Sequence, residues 1–302
     1  MDDALGGDDF HLTLYVCYEL HYRGFDGVDE RWEWHPGLLA FRASLERAFE
    51  ARLAEVVRHR GTARAADMDL QLRTVIDAED GPSLSRHLEF RGSREEFLEM
   101  VVHRSAYHLK EADPHSWALP RIDGRAKAAL VEIQADEYGG GALPRMHSEL
   151  FRSTMEELDL DGGYGAYLDH LPGCTLATVN LMSLFGLHRR LRGAIVGHLA
   201  VFEMTSAVAS RRYANGLRRL GFGPRATDFY LEHVEADSVH ESVAANDLAG
   251  GLAAESPRLA ADVLFGAEAA LIMDRLWAEH VTACWERGAT SLRLPLATPT
   301  PA

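Results

Sequence analysis

Along most of the chain apolar residues recur every three to four positions, with polar and charged residues between them. Glycine and proline punctuate these runs, and that is the pattern of successive amphipathic helices. Residues 37–60 predict one such helix, with charges opposite an apolar stripe. A further helix is expected near 65–79. Ser93-Arg-Glu-Glu96 has capping-box spacing, so a helix should start there, run to about Ala112 and stop before Pro114. A helix over about 125–138 should end at Gly139-Gly-Gly141, and Pro144 is placed to open the next, which continues to about Leu158. The pattern from Thr175 to Leu220 is helical, interrupted near Gly186 or Gly193. After the turn Gly221-Phe-Gly-Pro224, a helix is expected to about Leu248 and a last one over 257–286, followed by a loose Pro/Thr-rich tail. Residues 10–22 fit a strand or a buried helix equally well. The fold class is all-α. The stretch near 112–124 is the one place to divide the chain, into an N-terminal, mainly helical segment (1–115) and a C-terminal bundle (116–302), unless the two are one continuous domain.

Composition narrows the class. Of 302 residues, 47% are apolar, enough for a real core. The net charge of −15 argues against broad nucleic-acid binding, which needs a basic surface. Apolar runs fall short of the ~20 residues that cross a bilayer, and the acidic opening Met-Asp-Asp is unlike a leader. Cys17, Cys174 and Cys284 are odd in number and widely spaced, which gives no disulfide framework. The expectation is a cytoplasmic protein with no membrane partner.

The chemistry concentrates in Phe229-Tyr-Leu-Glu-His233-Val-Glu-Ala-Asp237-Ser-Val-His240. His233, Asp237 and His240 stand at i, i+4 and i+7, within roughly 60° of one another on a helix. Two imidazoles and a carboxylate on one face suit iron or manganese, and such sites are built between facing helices of a bundle. Other helices offer partners. Glu203 lies in Gly197-His-Leu-Ala-Val-Phe-Glu203, apolar on nearly all sides, so its carboxylate needs a metal or a salt bridge to Arg211 or Arg212. His198, about 140° around that helix from Glu203, reads as a packed core histidine. Glu137 and His147 would be about 15 Å apart on a continuous helix; the glycines and Pro144 between them fold the chain back and bring both to the bundle centre, the plainer alternative being a capping carboxylate and a surface histidine. Glu111, three residues after His108, is either an additional carboxylate ligand or a solvated helix-end residue. Glu132 and Glu149 read as surface groups.

Glu137…His147, Glu203 and His233-x3-Asp237-x2-His240 resemble the ligand set of the haem-oxygenase-like diiron oxidases and oxygenases, known as iron-containing redox enzymes. The blocks Asp136-Glu-Tyr-Gly-Gly-Gly, Gly186-Leu-His-Arg-Arg-Leu-Arg-Gly-Ala, Glu232-His-Val-Glu-Ala-Asp and Leu14-to-Phe25 are similar to that family too. The resemblance implies a haem-oxygenase-like helical bundle without haem, carrying two Fe(II) ions that bind O2 and pass through a peroxo-diferric state. Members N-oxygenate amines; others cleave C–C bonds or desaturate amino or fatty acids. N-oxygenating members resemble this chain if Glu111 supplies their extra carboxylate from a preceding helix. Tyr138 and Tyr230 adjoin the proposed ligands and are candidate hydrogen-bond donors to them. A small amine or amino-acid-like substrate, an external electron donor and a homodimer are implied as partners. The competing class is a non-catalytic scaffold of the same fold that binds a small molecule.

Overall fold

The computed structural model describes residues 3–57 and 64–296, apart from the side chains of residues 237 and 238. Every regular element among the described residues is helical: α1 (Asp8–Glu19), α2 (Pro36–Val56), α3 (Met68–Asp77), α4 (Leu84–Phe90), α5 (Arg94–His108), α6 (Asp113–Ser116), α7 (Gly124–Glu137), α8 (His147–Glu157), α9 (Gly173–Leu187), α10 (Arg192–Arg219), α11 (Pro224–Ser242), α12 (Gly250–Glu255) and α13 (Ala260–Glu286), with short 3-10 turns between several of them. The fold is the all-α, haem-oxygenase-like one. Residues 58–60 of the expected 37–60 helix and the 297–302 tail lie outside the described residues.

The ambiguous 10–22 stretch is α1. Phe10, Leu14 and Tyr18, spaced four apart, are buried together, whereas a strand would have turned Val16, which is exposed, to the same side as Leu14. The capping box at Ser93 and Glu96 forms in full. Its helix, however, ends at His108 rather than near Ala112, because the chain turns over 109–112 into a left-handed Ala112 (φ 73°) ahead of Pro114. Pro144 does not open α8. It sits in the 3-10 turn Leu143–Arg145, and α8 begins at His147. The helical pattern around the expected Leu248 end passes from α11 into a π-helical segment, Val243–Ala249.

α10 is the central rod, packed most extensively on α11 and α13. Gly197 and Gly266 let α10 and α13 meet backbone to backbone: a Cβ at Gly197 would stand 1.8 Å from the Val263 carbonyl oxygen, and one at Gly266 would stand 2.0 Å from that of Ala194. The stretch Arg189–Arg219, through α10, is long and apolar enough to cross a membrane, contrary to the expectation from the apolar runs. Yet 61% of its apolar window is buried inside the protein, and it carries the buried Glu203. The larger apolar core runs without a break from Leu14 and Phe49 through Val102 to Leu199 and Val263; a second gathers Phe97, Phe151, Phe229 and Trp277. Ile133 and Leu199 on one side, and Phe151 and Phe229 on the other, bracket the polar site described next.

Candidate metal centre

Five helix ends and faces converge. Glu111 comes from the turn after α5, Glu137 is the last residue of α7, His147 is the first of α8, Glu203 lies midway along α10, and His233 and His240 lie on α11. The fold-back between Glu137 and His147 rests on Gly139, Gly140 and Gly141, all at positive φ; a Cβ on Gly139 would lie 2.5 Å from the Arg145 carbonyl carbon. Gln134, one turn before Glu137, donates to the Ala112 carbonyl at 2.9 Å and to Ser116 Oγ at 2.7 Å. That brace fixes the turn carrying Glu111 against α7.

One donor atom from each of Glu111, Glu137, His147 and His233 lies within 4.8 Å of the other three, and all four residues are buried. Donors about 2.1 Å from a shared ion stand at most about 4.2 Å apart, so a contraction of about half an ångström closes the set. The imidazoles are aimed. His233 Nδ1 faces the Phe229 carbonyl at 2.8 Å, which must be an N–H donation and leaves the Nε2 lone pair turned inward, 3.6 Å from Glu111 Oε1. His240 Nε2 faces Asp136 Oδ2 at 2.9 Å, and its Nδ1 lies 3.5 Å from Glu203 Oε2. His108 Nδ1 bonds Glu111 Oε1 at 2.9 Å. Phe229 packs on His233 (centroids 4.5 Å) and, with Phe151, on His108.

The donor set fits a metal. Glu137 Oε2 and His147 Nδ1 are 3.0 Å apart, yet neither is in a hydrogen bond. Glu111 Oε2 and His240 Nδ1 are likewise buried without a hydrogen-bond partner. A buried polar atom left unpaired costs about 1–3 kcal/mol, and here several such atoms point into one place. Electrostatics agree. Burial resists charge on His147, yet Glu137 outweighs it and lifts its pKa above the ordinary value. Burial resists charge on His240 also, but Glu203 and Asp136 raise it to about 9. Burial would push Glu111 up, whereas the imidazoles of His108 and His233 hold it below the usual carboxylate range. A carboxylate-rich pocket that draws protons onto its imidazoles draws a divalent cation for the same reason.

The sequence candidates thus fall into two neighbouring groups: Glu111, Glu137, His147 and His233 in one, Glu203 and His240 in the other. The side chain of Asp237 lies outside the described residues. His198 is a packed core histidine, as expected, with Nδ1 3.1 Å from His115 Nε2. Among the described residues, neither flanking tyrosine hydrogen-bonds a candidate ligand. Tyr138 donates to Asp113 (2.8 Å), away from the site, because the last turn of α7 points its ring at α6, and the Tyr230 hydroxyl is buried without a hydrogen bond. Asp136 and His108 were missed as holding groups. An exposed carboxylate beside Glu137 and a histidine near a helix end carry no distinguishing pattern, although His108 three residues before Glu111 is the spacing of a helical pair.

A cavity of about 170 Å³ opens onto the cluster, lined by Glu111, Glu137, Glu203 and His233 at one end and by Arg104, Tyr213 and Asp274 at the other. Residues 98–275, which carry every candidate ligand, match the family described as iron-containing redox enzyme. The nitrosourea synthase of Streptomyces achromogenes subsp. streptozoticus is 29% identical over 208 residues, covering 67% of this chain and 44% of the relative. The chain therefore spans less than half the length of that protein.

Proposed function

Since the chain belongs to the iron-containing redox enzyme family, an oxidoreductase family, we propose that it holds two Fe(II) ions and uses O2 to N-oxygenate a small amine or amino-acid-like metabolite. The observation that carries this reading is the position of Glu111. It is buried among Glu137, His147 and His233, where an extra carboxylate on one iron is the feature the sequence resemblance associates with N-oxygenation. The nitrosourea synthase relative, whose product carries an oxidised nitrogen, supports the same reading.

Glu111, Glu137, His147 and His233 would hold one iron; Glu203, His240 and Asp237 would hold the other. When bound, the iron pair activates O2, one oxygen going to the substrate nitrogen and the other to water, with two electrons and two protons from an external donor. The protein's own part is positional. Phe229 and Asp136 fix which nitrogen of His233 and His240 faces inward. His108 holds Glu111 Oε1, the oxygen that also lies 3.6 Å from His233 Nε2, and leaves Oε2 without a hydrogen bond. Phe151 and Phe229 keep water from that side.

After anaerobic Fe(II) loading and desalting, the protein should retain about two irons per chain, as carboxylate-bridged bundle sites do. Glu137→Ala should retain less than about one. Supplied with O2 and a reductant, the loaded enzyme should add oxygen to the nitrogen of an amine, read by product mass. Retention of no iron by the wild-type chain would remove the reading. Products of chain scission or of loss of hydrogen would replace N-oxygenation with C–C cleavage or desaturation.

A further inference from the structure

The far end of the cavity holds an ion pair that stability does not explain. Arg104 Nη2 donates to Asp274 Oδ1 at 2.7 Å, and the guanidinium carbon lies over Trp277, 3.8 Å from the ring centroid. The Asp274 side chain is 44% exposed beside a mostly buried Arg104, and solvent screening at that carboxylate keeps the pair's own contribution to stability small. Arg104 makes no other hydrogen bond among the described residues and lines the cavity, so it has N–H groups to spare for an anion there. The contact with Trp277 holds the fork in place.

Two helix faces lead from this pair to the metal centre. On α5 and its following turn, Arg104, His108 and Glu111 stand at i, i+4 and i+7. On α10, Glu203, Ser206, Ser210 and Tyr213 follow one stripe to the same end. The ten helical residues from Glu203 to Tyr213 span about 15 Å. Subtracting a hydrogen bond of about 3 Å at one end and the metal's ligand sphere at the other leaves room for a side chain of several bonds. The cavity, about 170 Å³, falls below the roughly 300–1,000 Å³ of drug-sized pockets, which suits one small metabolite.

We infer that Arg104 and Asp274 recognise the zwitterionic head of a free α-amino acid, Arg104 taking the carboxylate and Asp274 the ammonium, with the side-chain nitrogen extended toward the metal centre. This deepens the N-oxygenation reading and rests on it for the fate of that nitrogen. The chemistry is matched. A planar fork pairs with a carboxylate through two parallel bonds, and the neighbouring Asp274 carboxylate supplies the opposite charge for the ammonium beside it. A simple amine would satisfy Asp274 alone and leave Arg104 without its anion.

The test is anaerobic titration calorimetry on the Fe(II)-loaded protein with L-lysine and L-arginine, each against its decarboxylated counterpart, cadaverine and agmatine. At least one amino acid should bind more tightly than its amine by about tenfold or more, the effect of one charge-assisted hydrogen-bonded pair. Arg104→Gln should erase that preference, and Asp274→Asn should weaken amino acid and amine alike by about tenfold, both keeping the iron content of the wild type, which reports an intact fold. If Arg104→Gln fails to load iron, Asp274→Asn, which keeps the shape of the pair, decides. Equal binding of amino acid and amine, a preference that survives Arg104→Gln, affinities left unchanged by Asp274→Asn, or no binding of any of the four at millimolar concentration overturns the inference. An amino acid that binds with the expected preference but returns unchanged from a turnover reaction removes the N-oxygenation reading and leaves the anchor standing. Oxidation of cadaverine or agmatine as fast as its amino acid does the reverse.

Discussion

Lys110 and Glu111 are neighbours in the chain and enter two buried acidic clusters of opposite kind. Lys110, 1% exposed at its side chain, reaches Glu19 Oε2 at 2.9 Å, and the Tyr164 hydroxyl donates to the same carboxylate at 2.7–2.8 Å. The ammonium also lies over the rings of Tyr15 and Tyr22. Every charge there has a protein partner. Glu111 and Glu137 are also buried, but among the described residues the positive groups they meet are imidazoles, and each keeps an oxygen without a hydrogen bond. Burial of a carboxylate is thus silent about function; what balances it is informative. The first cluster is a finished structural joint between α1 and the α5 turn, and the second leaves buried donor atoms that suit a cation.

If that contrast is right, the largest effect on folding comes from the finished cluster. Lys110→Met strands Glu19 in the core, and breaking a buried pair by removing one partner costs about 3–5 kcal/mol. Urea unfolding of the iron-free protein should register a loss of that size. The double variant Glu19→Gln with Lys110→Met should recover most of it, because no charge is then left alone. A loss below about 1 kcal/mol for the single variant would show that the pair is a solvated one and would break the comparison.

A somewhat smaller effect separates the histidines outside the metal cluster from those within it. Burial pulls His103 down to about 3 and His115 down to about 4. Neither has a carboxylate hydrogen-bonded to it: His103 meets Thr175 and Ser291, and His115 meets His198. Both stay neutral in the fold while the unfolded chain takes up protons below about 6.5. Their native pKa values lie under the unfolded value, so stability is full above about 6.5 and drains as pH falls toward 4. His115 alone should account for roughly 3 kcal/mol at pH 4. Glu111, held below its ordinary 4.5, adds its own loss only beneath that pH, so the two sources are separable. Urea midpoints of iron-free protein at pH 6.5 and 4.5 measure the first, and His115→Gln should flatten the slope.

The sequence disclosed these two clusters unequally. His233 and His240 were readable because helix periodicity alone puts i and i+7 on one face. Glu137 and His147 were readable because three glycines and a proline demand a fold-back. Glu203 was readable as a lone charge in an apolar run. Glu111 was readable only as one of two options, an additional ligand or a solvated helix-end group, since α5 ends three residues before it and helix periodicity no longer says which way it faces. Nothing local marks Asp136, Arg104 or Asp274. Their roles depend on contacts 104 and 170 residues away in sequence, which depend in turn on how α10 packs between α11 and α13. The Glu19–Lys110 joint, 91 residues apart, is hidden for the same reason, and α1 itself left helix and strand undecided.

The smallest expected change is the most discriminating. Glu137→Gln keeps the size of the side chain and removes its charge. Were Glu137 a structural partner of His147, as Lys110 is of Glu19, the substitution would cost several kcal/mol. In the metal reading it should change the stability of the iron-free protein by no more than about 1 kcal/mol, in either direction. The lost attraction to His147 is offset by relief of repulsion from Glu111, and the Glu137 oxygen beside His147 was in no hydrogen bond to begin with. The same substitution should abolish the stabilisation that added Fe(II) gives the wild-type chain, because a ligand that binds only the native state raises its stability in proportion to the logarithm of concentration over Kd. Parallel urea curves for both proteins, with and without anaerobic Fe(II), read the two quantities together. A variant that loses several kcal/mol without iron yet still gains on adding it would place Glu137 with Glu19, among the structural carboxylates.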